Sequence, residues 1–142
     1  MRVMAIDYGD ARTGVAISDP SGLLTGFTTV IHSRNRETVL AQLAALCKER
    51  GADRLVMGFP RNMDGTEGPR AALYREFAAS LEEATGMPVR LWDERRTTVE
   101  AHQILSSQNY HGKKRKNTVD AVAASLILEG YLGYLRNHPE EV

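Results

Sequence analysis

Four acidic residues stand where a carboxylate is costly. Asp7 ends the apolar run Val3-Met4-Ala5-Ile6. Asp120 is the single acid in the first turn of an apolar stretch running from Thr118-Val119 through Ala123-Ala124 to Leu126-Ile127-Leu128. Asp93 and Glu94 follow Val89-Arg90-Leu91-Trp92 without a break. A carboxylate near a core needs compensation, because desolvation penalises the charged form. Each acid has an ordinary explanation taken alone. Turn N–H groups between Gly9 and Thr13 would serve Asp7, a helix dipole would serve Asp120, and solvent would serve a charged turn at 93–94. Their convergence is what points to chemistry, since three separate segments would deliver them to one end of a parallel sheet, where α/β proteins form sites. Gathered carboxylates repel unless a divalent cation or a shared proton compensates. The chain has one cysteine, Cys47, and its histidines (His32, His102, His111 and His138) lack metal-ligand spacing. Hard oxygen donors of this kind predict Mg²⁺ or Mn²⁺ rather than zinc.

Positive charge is densest beside the proposed cluster. Lys113, Lys114, Arg115 and Lys116 are consecutive, and Asp120 follows four residues later. Arg95 and Arg96 adjoin Glu94. Charge runs are ordinarily solvated loops, and the polar stretch Gln108 to Asn117 reads as a mobile one. Tethered next to a carboxylate–metal site, such a loop suits a phosphodiester backbone, which predicts nucleic acid as the partner.

The elements that would position these groups follow from hydrophobic periodicity. Residues 2–8, 14–18 and 23–31 read as three strands joined by tight turns, an antiparallel meander. Val39, Leu40, Leu43, Leu46 and Cys47 share one helical face between Arg36 and Arg50, closed by Gly51. Leu55-Val56-Met57 is a buried strand, and Phe59 to Gly68 a loop. A second helix begins near Pro69, with Leu73, Phe77, Leu81 and Ala84 as its apolar face and Gly86 at its end. Val89 to Trp92 is a fifth strand. A helix from Thr97 or Thr98 to about Ser107 and a long one from Thr118 to about Arg136 complete the order βββ-α-β-α-β-α-α. That order predicts an α/β protein with a mixed five-stranded sheet and helices on both faces, the arrangement of the ribonuclease H-like fold.

Composition narrows the classes. With 42% hydrophobic and 25% charged residues in 142, the chain reads as globular, and without repeats or a linker it reads as one domain over 1–142. Eighteen basic and eighteen acidic residues give a net charge of zero. That excludes binding by bulk charge but not by a local patch. A single cysteine excludes an internal disulfide. No apolar run reaches the roughly 18 residues of a membrane span, and no signal-peptide core precedes Asp7. The expected compartment is the cytoplasm, with no membrane partner.

Four segments, in order, resemble the YqgF/RuvX family. They are Ala5-Ile6-Asp7-Tyr8-Gly9 with Gly14-Val15-Ala16, the loop Gly58-Phe59-Pro60-Arg61-Asn62-Met63-Asp64-Gly65-Thr66-Glu67-Gly68-Pro69, Asp93-Glu94-Arg95 with Thr98-Val99-Glu100-Ala101, and Asp120-Ala121 with Ala123-Ala124 and Leu126-Ile127-Leu128. The resemblance covers nearly the whole chain. It implies a metal-dependent nuclease with Asp7, Glu94 and Asp120 as catalytic acids and metal ligands, Asp93 being the alternative within its pair. Arg61, which stands where the family often has Leu, adds a cation for phosphate beside Arg95, Arg96 and Lys113 to Lys116. The implied reaction is hydrolysis assisted by Mg²⁺ or Mn²⁺, leaving a 3′-hydroxyl and a 5′-phosphate. The implied role is 5′-end processing of pre-16S ribosomal RNA, with RNA favoured as substrate. The alternatives are resolution of branched DNA such as a Holliday junction, for which a homodimer would cut two strands, and a non-catalytic binding module. Retention of Asp7, Glu94 and Asp120 argues against the last. Asp7-Tyr8-Gly9 with Gly14 is also similar to the phosphate hairpin of actin-like ATPases. Those enzymes clamp a nucleotide between two such domains, and Gly112-Lys113 lacks the remainder of a P-loop.

Overall fold

The computed structural model describes residues 1–22, 24–60, 68–93 and 112–141, with backbone alone at 112–118 and 141. Its elements are β1 (Val3–Asp7), β2 (Arg12–Ser18), β3 (Thr25–His32), α1 (Arg36–Arg50), β4 (Arg54–Phe59), α2 (Arg70–Thr85), β5 (Val89–Asp93) and α3 (Gly112–Asn137), then a short 3₁₀ turn over Pro139–Glu141. The strands form one sheet in the order β3-β2-β1-β4-β5. The meander β1-β2-β3 is antiparallel, and β4 and β5 add in parallel to β1. This is the predicted mixed sheet.

Alternation along the strands separates two cores. Met4, Ile6, Val15, Ile17, Leu55, Met57 and Phe59 pack beneath α1 and α2, against Leu43, Phe77 and Leu81. Val3, Ala5, Ala16 and Val56 lie beneath α3, against Ala124, Ile127, Leu128 and Leu135. The central strands are therefore covered on both faces, which is why β1 and β4 read as unbroken apolar runs. Asn35 caps α1, its side chain accepting from the Thr38 N–H at 3.0 Å. Gly51, at φ 67°, ends that helix in a left-handed conformation that an L side chain rarely adopts.

Three expectations change. The apolar face of α2 is rotated: Ala71, Tyr74, Phe77, Ala78 and Leu81 are buried, while Leu73 is 41% exposed and Ala84 lies outside the core. Tyr74 wins the inward position because its ring is buried while its hydroxyl still finds partners. Phe59 belongs to β4 and is 2% exposed, so it is core rather than loop. The long helix starts at Gly112 rather than Thr118, so the expected mobile loop of 108–117 is helical from 112 onward. Lys and Arg are good helix formers, and an established apolar helix extends cheaply in its N-terminal direction. The predicted helix between Thr98 and Ser107 and most of the 59–68 loop lie outside the described residues.

Candidate active site

The earlier start of α3 removes the ordinary explanation for Asp120. The residue lies eight positions after Gly112, and no acid occupies the first turn. A helix dipole acts within about the first turn, so it offers Asp120 little.

The sheet brings Asp120 to Asp7 through a glycine. Asp7 is half-buried at the end of β1, and alternation after Val3 and Ala5 puts it on the α3 side. Its cross-strand partner is Gly14 of β2. A Cβ built on Gly14 would meet the Asp120 carbonyl oxygen at 2.2 Å and its carbonyl carbon at 2.7 Å. Only a residue without a side chain lets α3 approach that closely. Asp7 and Asp120 thus flank the same glycine.

Arg12, two residues before Gly14 and on the same side of β2, completes the arrangement. Its Nε donates to Asp120 Oδ2 at 2.9 Å, with side chains 34% and 20% exposed. Burial pushes the Asp120 carboxyl above its ordinary value. The hydrogen bond and charge of Arg12, and the charge of His32, pull the other way. His32 ends β3 opposite Arg12 in the strand register and is exposed.

The backbone beyond Asp7 is tied from the α2 side. The Tyr8 ring stacks on Phe77, centroids 3.8 Å apart, and meets Tyr74 edge-on at 5.4 Å. The Tyr74 hydroxyl donates to the Tyr8 carbonyl at 2.5 Å and accepts from Arg70 Nη2 at 3.1 Å. Arg70 also lies 3.5 Å from Asp10. Burial raises the Tyr8 phenol above its ordinary value.

Of the predicted site residues, Asp7 and Asp120 both adjoin Gly14. Asp93 ends β5 opposite Phe59 and is exposed. Alternation with Trp92, which packs toward α3, puts Asp93 on the side of Leu91 and away from the face of Asp7. Glu94, Arg61, Arg95 and Arg96 lie outside the described residues. Lys113, Lys114, Arg115 and Lys116 fall in the first two turns of α3. Among the described residues no group of three His, Cys, Asp or Glu is gathered for a metal. Two hard oxygen donors are present, and the predicted third, Glu94, lies outside. Sequence reasoning missed Arg12. The available signal was its spacing: an arginine two residues before Gly14 shares that glycine's side of the strand.

The family model described as "RuvX: Holliday junction resolvase" matches residues 1–134. A relative from Halothermothrix orenii, named "Putative pre-16S rRNA nuclease", is 44% identical over 134 residues, 94% of this chain and 96% of its own. One of the same name from Carboxydothermus hydrogenoformans is 42% identical over 134 residues, covering 94% and 97%. The solved structure of RuvC from Thermus thermophilus superposes with a TM-score of 0.60 over 97% of both chains at 13% identity, a likeness of fold.

Proposed function

Because the chain belongs to the RuvX family, we propose that it is a divalent-cation-dependent nuclease in which Asp7, Asp120 and Glu94 are the metal-binding acids. The observation that carries this reading is the placement of Asp7 and Asp120 on either side of Gly14. Two partly desolvated carboxylates there repel, and a bound divalent cation would compensate them beyond the single charge of Arg12. Hard carboxylate oxygens fit Mg²⁺ or Mn²⁺. A divalent cation there supplies Lewis acidity toward a phosphodiester and toward water.

The chain's own residues supply the rest. Asp7 is held rigidly, because the sheet fixes its main chain on one side and Tyr74 fixes the next carbonyl on the other. Asp120 enters on a helix whose distance from the sheet is set by Gly14. Asp93 lies on the Leu91 side of β5, away from the face of Asp7, which favours Glu94 over Asp93 as the third ligand. Arg61, Arg95, Arg96 and Lys113 to Lys116 are the proposed phosphate-binding cations, and residues 1–142 the proposed single nuclease domain.

RNA is the favoured substrate, with 5′-end processing of pre-16S ribosomal RNA in the cytoplasm as the role; the names of the relatives support it. The family description supports a second reading, cleavage of branched DNA by a homodimer. The test is cleavage of single-stranded RNA, structured RNA and a four-way DNA junction with Mg²⁺, Mn²⁺, Ca²⁺ or excess EDTA. Cleavage of RNA with Mg²⁺ or Mn²⁺ is expected. Undiminished cleavage in EDTA defeats the metal reading, and cutting of the junction alone moves the substrate to DNA.

A further inference from the structure

The Asp120 carboxylate already has a cationic partner supplied by the protein. Arg12 Nε sits 2.9 Å from Oδ2, across 108 residues of sequence, and both side chains are partly withdrawn from water. The guanidinium is a cation whose planar fork of N–H donors suits a carboxylate. A divalent cation held by Asp7 and Asp120 would meet it at close range, where like charges repel strongly. Both would also compete for the lone pairs of the same carboxylate. With a third of its side chain exposed, Arg12 has room to swing away.

We propose that Arg12 is a positioning residue for Asp120, the resident counter-cation that holds this carboxylate facing the sheet end until a divalent cation takes its place. The inference rests on the metal reading above and deepens it. Loading the site is then an exchange of one cation for another. Arg12 keeps Asp120 oriented in the empty protein at the expense of affinity for the metal, and a guanidinium released beside the site faces the region where a phosphodiester would lie.

The experiment measures Mn²⁺ affinity by calorimetry, without substrate, in the wild-type protein and in Arg12→Gln and Arg12→Lys. Arg12→Gln removes the charge, and its affinity is expected to rise on the order of tenfold. Arg12→Lys keeps the charge and should stay close to wild type. In parallel, the Arg12 Nε–H resonance of the wild-type protein is followed by NMR during a Mg²⁺ titration. It should leave its hydrogen-bonded position as the metal binds. An Arg12→Gln protein that binds Mn²⁺ equally or more weakly overturns the proposal and leaves Arg12 as a brace between β2 and α3. So does an Arg12→Lys protein as tight as Arg12→Gln. If Arg12→Gln does not fold, the wild-type titration decides: an unmoved resonance at saturating Mg²⁺ overturns the exchange. Absence of any Mn²⁺ or Mg²⁺ binding by the wild type is a distinct result, which removes the metal reading and this inference with it.

Discussion

Gly14 lies in van der Waals contact with the main chain of Asp120, with no room between them for even a methyl group. The contact joins the middle of β2 to the third turn of α3 and sets the height of that helix above the sheet. The colliding atoms would be backbone, so a side chain here cannot be relieved by a rotamer change. Gly14→Ala should cost about 1–3 kcal/mol, the usual range for overpacking a tight contact. Urea denaturation measures it, and a midpoint unchanged from wild type would show that α3 shifts freely.

Asp7→Asn and Asp120→Asn should each reduce cleavage by at least about a hundredfold, because a lost metal ligand withdraws several kcal/mol from the transition state. Both proteins should keep their circular dichroism. Glu94→Gln should match them and Asp93→Asn should not, since Asp93 alternates to the opposite side of β5. Single-turnover rates on RNA distinguish the four.

Without metal, Asp120 should destabilise the protein at neutral pH. Its carboxyl is raised above the ordinary 3.8 by burial, only partly offset by Arg12. A raised native value means the folded state binds the proton more tightly than the unfolded state. This contribution is fully present below the unfolded value and is lost as pH rises through the folded one. In EDTA, Asp120→Asn should therefore gain stability relative to wild type as pH climbs from 3 to 7. A wild-type advantage that grows over that range would mean the Arg12 pairing outweighs burial.

Tyr74→Phe deletes the hydroxyl that bridges Arg70 and the Tyr8 carbonyl. The aromatic packing against Tyr8 survives, so the loss should be about 0.5–1.5 kcal/mol, that of a hydrogen bond. Because the bridge steadies the chain just past Asp7, Mn²⁺ affinity should weaken as well. Calorimetry and urea melts report the two effects separately.

Replacing Lys113, Lys114, Arg115 and Lys116 with Ala should flatten the salt dependence of RNA binding. The slope of log K against log salt should shrink by about 1 to 2 units. An unchanged slope assigns the grip to Arg61, Arg95 and Arg96.

The sheet was readable because both faces of β1 and β4 are covered, and a doubly buried strand has no choice but a run such as Val3 to Ile6. Asp7 and Asp120 were readable as exceptions to such runs. Arg12 was not, because an arginine at the start of a strand looks like any solvated turn residue, and its partner is 108 positions away. Leu73 misled because hydropathy ranks leucine above tyrosine, whereas packing rewards a ring whose hydroxyl can be satisfied. The start of α3 misled because four like charges suggest a loop, yet each has a good helical propensity.

The span of the Arg12–Asp120 pair also bears on when in a chain's life the site exists. The β1–β2 hairpin closes over a few residues and can form while the protein is still being made. Asp120 arrives only with α3, the last long element, and joining it to Arg12 closes a loop of 108 residues. A nascent or truncated chain ending before residue 120 carries Asp7 but lacks Asp120, its neighbour across Gly14. A chain cut short before Asp120 is thus expected to show no cleavage, which ties the proposed activity to the completion of α3.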